Sequence, residues 1–444
     1  MALLTKDEAF ALMKKVLSYS KADECEVNLN GNENGNIRYA INSVSTSGKT
    51  FQSTLVVASA YGKKLGIATI NEFDDASLEK VVRRSEELAQ LAPENPEYVS
   101  FLGPQKYAEP KMFIQSTAAI TPKQRADMVE QSLAVAKAGN AIAAGFLEDS
   151  MGFAAMMNSK GLQAYSTSTN VNFSVTVRTQ DGKGSGYAIR GYNDVSKLDT
   201  KSATQIATDK AVKSSTAKAI EPGKYTVILE PAAAAVLLEN IFFSMDARQA
   251  DEGRSFLSKP GGATRLGEKM VDERVNIYSD PHNADLPTST WNGDGRPQER
   301  VSWIEKGVIK NLTYSRYWAE KKGVKAVPGP DAAIMEGGTK SLEELIAGTK
   351  KGILVTKLWY IRQVDPQSLL LTGLTRDGTF YIENGKIQYP IKNFRFNESP
   401  IIMLNNLEEL GKAERTVSTE SNVNYLVPPM KIRDFTFSSL SDAV

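Results

Sequence analysis

The chain has 444 residues, 41% of them hydrophobic and 24% charged, with a formal net charge of +1. That length supports two or three domains around a substantial core, and the neutral balance lacks the basic excess of a nucleic-acid-binding protein. Its one cysteine, Cys25, excludes an internal disulfide framework, and its one histidine, His282, excludes a two-histidine zinc site within the chain. The first ten residues, MALLTKDEAF, carry no cationic region followed by an apolar segment, and no run approaches the ~18 apolar residues of a spanning helix. The expectation is a cytoplasmic protein that neither enters a membrane nor binds nucleic acid.

Thr5-Lys6-Asp7-Glu8 is a capping-box pattern, and Phe10, Met13, Val16 and Leu17 share one helical face, so residues 5–20 are predicted to be an amphipathic helix. Residues 24–30, 36–46, 51–58 and 65–71 read as strands, with Gly31, Gly35, Gly48 and Gly62 as turns. A second helix starts at Phe73-Asp74-Asp75, with Leu78, Val81, Val82, Leu88 and Ala89 along its apolar stripe. Prolines 93, 96, 104 and 110 mark residues 92–112 as an extended connector. Thr121-Pro122 opens a helix that Gly139-Asn140 ends, and a second meander follows over 141–148, 152–158, 162–168 and 171–178. Asp181-Gly-Lys-Gly-Ser-Gly186 lies between two strand-like segments and lacks the phosphate-loop spacing, so it reads as a turn. A further helix is expected over 200–218. The class is α+β: two helix-flanked β-meander units, at 1–100 and 112–218, followed by a strand-rich, barrel-like domain at 219–444.

Within that last part, Tyr225-Thr-Val-Ile-Leu229 reads as a strand that Glu230-Pro231 stops, and Ala232 to Leu238 as a buried, Ala-rich helix. Lys306-Gly307 and Asn384-Gly385 are hairpin turns, residues 323–341 a long surface loop, and 401–410 a helix. His282, in Ser279-Asp280-Pro281-His282-Asn283, reads as a loop residue without a chemical role.

The central stretch resembles the TldD/PmbA (TldE) family, also called modulators of DNA gyrase. Its Pro231-x-Ala-x-Ala-x-Leu237-Leu238 frame is similar to the segment in which catalytic members carry LLHExxxH. Arg38-Tyr39-Ala40-x-Asn42, the Asp181–Tyr187 turn, Leu342-Glu-Glu-Leu345 and Ile382-Glu-Asn-Gly-Lys386 also resemble family elements, so the similarity spans nearly the whole chain. The resemblance places Glu239, Asn240 and Ser244 where the first histidine, the general-base glutamate and the second histidine stand. The family's third ligand is a cysteine near the C-terminus, which this chain lacks, and Asp365-Pro-Gln-Ser-Leu replaces a common Asn-Pro-x-Thr-Gly-Asp. The two ligand positions are five residues apart, about 140° around a regular helix, so the resemblance implies a local bend in catalytic members.

The resemblance therefore implies a subunit of the PmbA/TldE type without catalytic or metal-binding residues of its own and without a cofactor. Zinc is expected only in a TldD-like metalloprotease partner. Homo- or heterodimers and unstructured peptides taken up as added strands are expected too. Arg38 and Asn42 read either as solvated hairpin residues or as an edge contacting a partner or peptide. The alternative is an active metallopeptidase with a carboxylate-rich site drawn from Glu239, Asp246, Glu252, Asp280 and His282, a donor set suited to Mg, Ca or Mn. A regulator acting on nucleic acid or gyrase, as the older family name suggests, fits the neutral charge poorly.

Overall fold

The computed structural model describes residues 3–441. Its N-terminal half is built on six antiparallel strands: β1 (Glu24–Ala40), β2 (Ser43–Tyr61), β3 (Lys64–Ile70), β4 (Ala141–Asn158), β5 (Gln163–Thr179) and β6 (Ser185–Tyr192). They form one sheet in the order β3-β2-β1-β4-β5-β6. The two meanders are thus joined edge to edge through β1 and β4, which pair from Glu26↔Asn158 to Tyr39↔Gly145.

The strands are longer than the sequence pattern suggests, because Gly31, Gly35 and Gly48 lie inside strands and are not turns. Packing explains the first two. A Cβ at Gly31 would sit 2.3 Å from the Phe153 ring, and one at Gly35 would sit 2.1 Å from the Arg125 guanidinium. The turn joining β1 to β2 falls instead at Ile41-Asn42, both with positive φ (51° and 56°). The Asn42 side chain donates to the Ala141 carbonyl at 2.8 Å and accepts from the Ala143 N–H at 2.7 Å, so it ties the hairpin tip to β4.

Four helices cover one face of this sheet: α1 (Lys6–Tyr19), α2 (Asp75–Leu91), α3 (Pro122–Ala138) and α4 (Thr200–Ser214). Thr5 and Thr121 each form a capping box, which satisfies two orphan N–H groups at either helix start. Helix α4 ends at Ser214, short of Lys218, and the Ser214 hydroxyl ties this end to β6, accepting from the Ser185 N–H at 2.9 Å and donating to its carbonyl at 3.0 Å. Odd-numbered residues carry both cores: Cys25, Val27 and Leu29 under α1 and α2, and Ile37 and Tyr39 under α3 and α4. Between the two cores, the buried Arg125 of α3 pairs with the buried Asp149 of β4.

The connector (residues 92–112) is held by Glu24. Its carboxylate accepts from Tyr98 at 3.0 Å, the Phe101 N–H at 2.8 Å, Lys160 at 3.0 Å and the Ser100 hydroxyl. Burial alone would raise the Glu24 pKa, but these donors outweigh it and hold it at about 2, below the usual 4.5. A depressed carboxylate stabilises the fold above its unfolded pKa and loses that contribution as pH falls through the folded value. Glu24→Gln is expected to lower stability by about 2–3 kcal/mol at neutral pH. It should also flatten the acid limb of stability between pH 4.5 and about 2, which urea titrations at stepped pH check.

The C-terminal part contains a barrel. Strand β7 (Gly223–Leu229) lies between Lys351–Asp365, parallel to it, and Met430–Leu440, antiparallel to it. Phe394–Glu398 and Leu370–Glu383 continue from Met430–Leu440, and Leu370–Glu383 pairs back to Lys351–Asp365, which closes five strands. A second sheet is ordered Val308–Ile309, Val301–Glu305, Ile277–Ser279, Ile334–Met335, Asn424–Val427 and Glu414–Val417. Both predicted hairpin turns are present, with positive φ at Lys306-Gly307 and Asn384-Gly385. The segment read as a helix over 401–410 is helical only at Pro400–Asn405, because Leu407–Leu410 forms a strand on Met430–Leu440. A helix at Arg316–Lys322, capped by Ser315, carries no strong sequence signal.

Helix α5 (Pro231–Phe243) lies between the barrel and the second sheet. Ala233 to Leu238 are all buried, as expected of a helix apolar on every side.

Candidate functional site

The site is built where α5 meets the hairpin between Glu414–Val417 and Asn424–Val427. Strand β7 and Pro231 set the start of α5. The Glu230 N–H donates to the Val355 carbonyl of the barrel at 3.1 Å, and the Glu230 carboxylate takes both Lys210 contacts from α4, at 2.6 and 2.7 Å. Six residues on from Ala233, Glu239 is 2% exposed in the middle of the core. Its Oε2 accepts the Ser418 hydroxyl, and its Oε1 has no partner among the described residues. Ser418 is fully buried; its N–H donates to the Val423 carbonyl at 2.8 Å, and its Oγ accepts from the Glu420 N–H at 3.3 Å. Tyr425, across the same hairpin, stacks on Phe242 at 6.4 Å. Burial first, and the neighbouring Glu239 carboxylate second, push the Tyr425 phenol above its ordinary range.

The other two motif positions do not join Glu239. The Asn240 amide turns back to the Val236 carbonyl of its own helix at 2.8 Å. Ser244 lies one residue beyond α5, as its C-cap, with its N–H on the Ile241 carbonyl at 3.0 Å. The helix is a regular α-helix to Phe243.

The carboxylate-rich alternative draws on side chains engaged elsewhere. Asp246 caps a short helix by accepting the Gln249 N–H, Glu252 pairs with Arg248 and Arg254, and Asp280 accepts the His282 N–H at 2.9 Å. His282 is exposed in a turn. Among the described residues, no three His, Cys, Asp or Glu side chains converge. The donors around Glu239, a carboxylate and a neutral hydroxyl, do not fit the nitrogen and sulfur ligation of a tetrahedral zinc centre.

Ser418 is the residue that sequence reasoning missed. It lies 179 residues from Glu239, and nothing in its local pattern marks it. Asp365, in the other departure from the family pattern, closes its own turn by accepting the Gln367 and Ser368 N–H groups at 3.1 Å each.

A β-meander sheet under four helices, followed by a barrel and a second sheet enclosing an Ala-rich helix, defines the metallopeptidase-like class of the PmbA/TldD proteins. Residues 222–439 match the PmbA/TldA metallopeptidase C-terminal domain and residues 116–215 the PmbA/TldA metallopeptidase central domain, and the chain belongs to this family. It is 26% identical over 366 residues to the uncharacterized protein MJ0231 of Methanocaldococcus jannaschii, covering 79% of this chain and 83% of that one. It is 27% identical over 177 residues to the metalloprotease PmbA of Escherichia coli O157:H7, a match spanning 38% of this chain and 37% of the relative. The crystal structure of TldE from Thermococcus kodakarensis superposes with a TM-score of 0.87 at 19% identity, over 96% of this chain and all of that one.

Proposed function

We propose that this chain is a non-catalytic, TldE/PmbA-like subunit that pairs with a TldD-like metalloprotease chain in the cytoplasm and holds unstructured peptides for it. The observation that carries this reading is the Glu239–Ser418 contact. The helix position that the resemblance gives to the first ligand bonds instead to a serine hydroxyl of the C-terminal hairpin region. The zinc then belongs to the partner, and no hydrolytic step is assigned to this chain. Exposed apolar side chains, Phe243 (68%), Tyr360 (50%) and Val364 (56%), offer surface for pairing.

Peptide uptake is supported by the edge of β2. Strand β3 pairs only with Leu55–Tyr61, so the outer edge of Ser43–Thr54 has no ladder partner among the described residues. An unpaired edge of this length is a template for strand addition, which reads the backbone and tolerates many sequences. Along such a strand, successive residues direct their N–H alternately to the neighbour and to the open edge. Proline at Ser47 and proline at Gly48 are therefore expected to differ. The one facing outward should leave the melting temperature nearly unchanged and weaken binding of a fluorescent unstructured peptide at least tenfold. The one facing β1 should lower stability.

Metal analysis and peptidase assays of the pure chain test the subunit reading, together with assays after mixing with a TldD-like chain carrying HExxxH. Hydrolysis is expected only in the mixture. Stoichiometric zinc in this chain with turnover on its own overturns the proposal.

A further inference from the structure

The sheet face turned away from the helices carries a pattern that neither the family motif nor the central helix uses. Even-numbered residues of β1 occupy it; after Glu24 and Glu26, which lie by the connector, they read Asn28, Asn30, Asn32, Asn34, Asn36 and Arg38. Where this face meets the connector it is apolar and covered, since Met156, Ala154 and Ala164 pack under Leu102, Tyr107 and Trp291. Further along, the composition turns polar; the cover ends over β1 and β2, whereas Val417 and Asn424 of the second sheet lie over Asn172 and Gly191 on β5 and β6.

Cross-strand register makes the polar part a grid. Asn32 stands beside Gln52 on β2 and Gly152 on β4, and Gly152 is beside Ser168 on β5. Asn34 stands beside Thr50 and Ser150, with Asn170 beyond. Asn30, Asn32, Thr50, Gln52 and Ser168 are exposed, and Asn34 and Asn36 half-buried. A Cβ at Gly152 would sit 2.1 Å from the Asn32 Oδ1, so glycine there keeps the surface flat beneath the amide. The side chains of Asn30, Asn32, Asn34 and Asn36 make no hydrogen bond to another described side chain or backbone group. The charges on this stretch are confined to one end, where Glu148 accepts from Asn172 at 3.1 Å and Arg38 lies over the Phe146 ring.

A row of carboxamides at every second strand position repeats at about 6.6–6.8 Å, which is also the repeat of same-side amide groups along an extended polypeptide. Each carboxamide donates and accepts, so it can pair with a peptide group irrespective of side chain. The structure assigns this asparagine row as a second binding surface, one that seats an extended, uncharged peptide flat across the sheet beside the β2 edge. The inference rests on the peptide-holding reading above and adds the substrate class, neutral and small-residue segments. A row without opposing charge gives lysine- or glutamate-rich segments nothing to offset their desolvation.

The test uses the full chain and fluorescence anisotropy with two labelled twelve-residue peptides, one of Gly, Ser and Gln and one with four lysines replacing serines. The unaltered chain is expected to bind the neutral peptide at least tenfold more tightly. Asn32→Ala with Asn34→Ala should remove that preference without moving the melting temperature, and Asn32→Gln with Asn34→Gln should retain part of it. Unchanged binding by the double alanine variant, while the outward β2 proline still weakens it, overturns the asparagine row and leaves strand addition standing. Loss of binding in neither variant, or no binding by the unaltered chain, overturns both. Self-association of the chain that the double alanine variant abolishes, seen by sedimentation, would mark the face as a contact between copies and also overturn the assignment.

Discussion

Arg125→Met is expected to lower the stability of the chain by about 3–5 kcal/mol at neutral pH, because it leaves a buried carboxylate without its counter-charge. Arg125 is 2% and Asp149 8% exposed, and the guanidinium meets the carboxylate through both Nε and Nη2. The pair sits at the junction of the two helix-covered cores, with Gly35 kept bare so that the guanidinium can lie against β1. Burial pushes the Asp149 pKa up, and Arg125 is the main influence opposing it. Removing Arg125 removes that opposition, so the carboxyl group should take up a proton at higher pH in the variant. The loss should therefore shrink as pH falls, because a neutral carboxyl group is cheaper to bury. Adding Asp149→Leu should recover most of the stability, since replacing both partners by apolar groups is often neutral or better. Urea unfolding of the single and double variants at two pH values measures all three. A single variant losing under 1 kcal/mol would mean that water reaches the pair.

At the candidate site the expected sign is opposite. Glu239→Met combined with Ser418→Ala should stabilise the chain by about 1–3 kcal/mol, because it removes a buried carboxylate with one bonded and one unbonded oxygen. Methionine keeps nearly the same volume, so no cavity offsets the gain. Glu239→Ala alone should destabilise, since it adds a cavity and strands the Ser418 hydroxyl. If the Met/Ala pair instead loses more than 1 kcal/mol, the free oxygen holds a partner from solution. Repeating the unfolding in chelator would then separate a bound cation from an ordered water. The stabilised variant should still support peptide hydrolysis when mixed with a TldD-like chain, as expected of a residue that is structural in this subunit.

Much of the chain was legible from local patterns. Thr5-Lys6-Asp7-Glu8 and Thr121-Pro122 fixed helix starts, because capping chemistry acts within four residues. Asn384-Gly385 marked its hairpin because a turn with positive φ at both central residues favours that dipeptide. The residues standing at the three positions of the resembled motif, Glu239, Asn240 and Ser244, could be read directly, since that needs only a frame and three letters.

What the tertiary structure decided is what depends on distant partners. Gly31 and Gly35 look like turns until Phe153 and Arg125 arrive from other elements and require their bareness. The two meanders look like separate units until β1 and β4 pair. Ser418 is an ordinary serine until folding brings it to Glu239. Capping and turn preferences are written in neighbouring residues, whereas packing against a remote side chain is set only when the chain closes on itself.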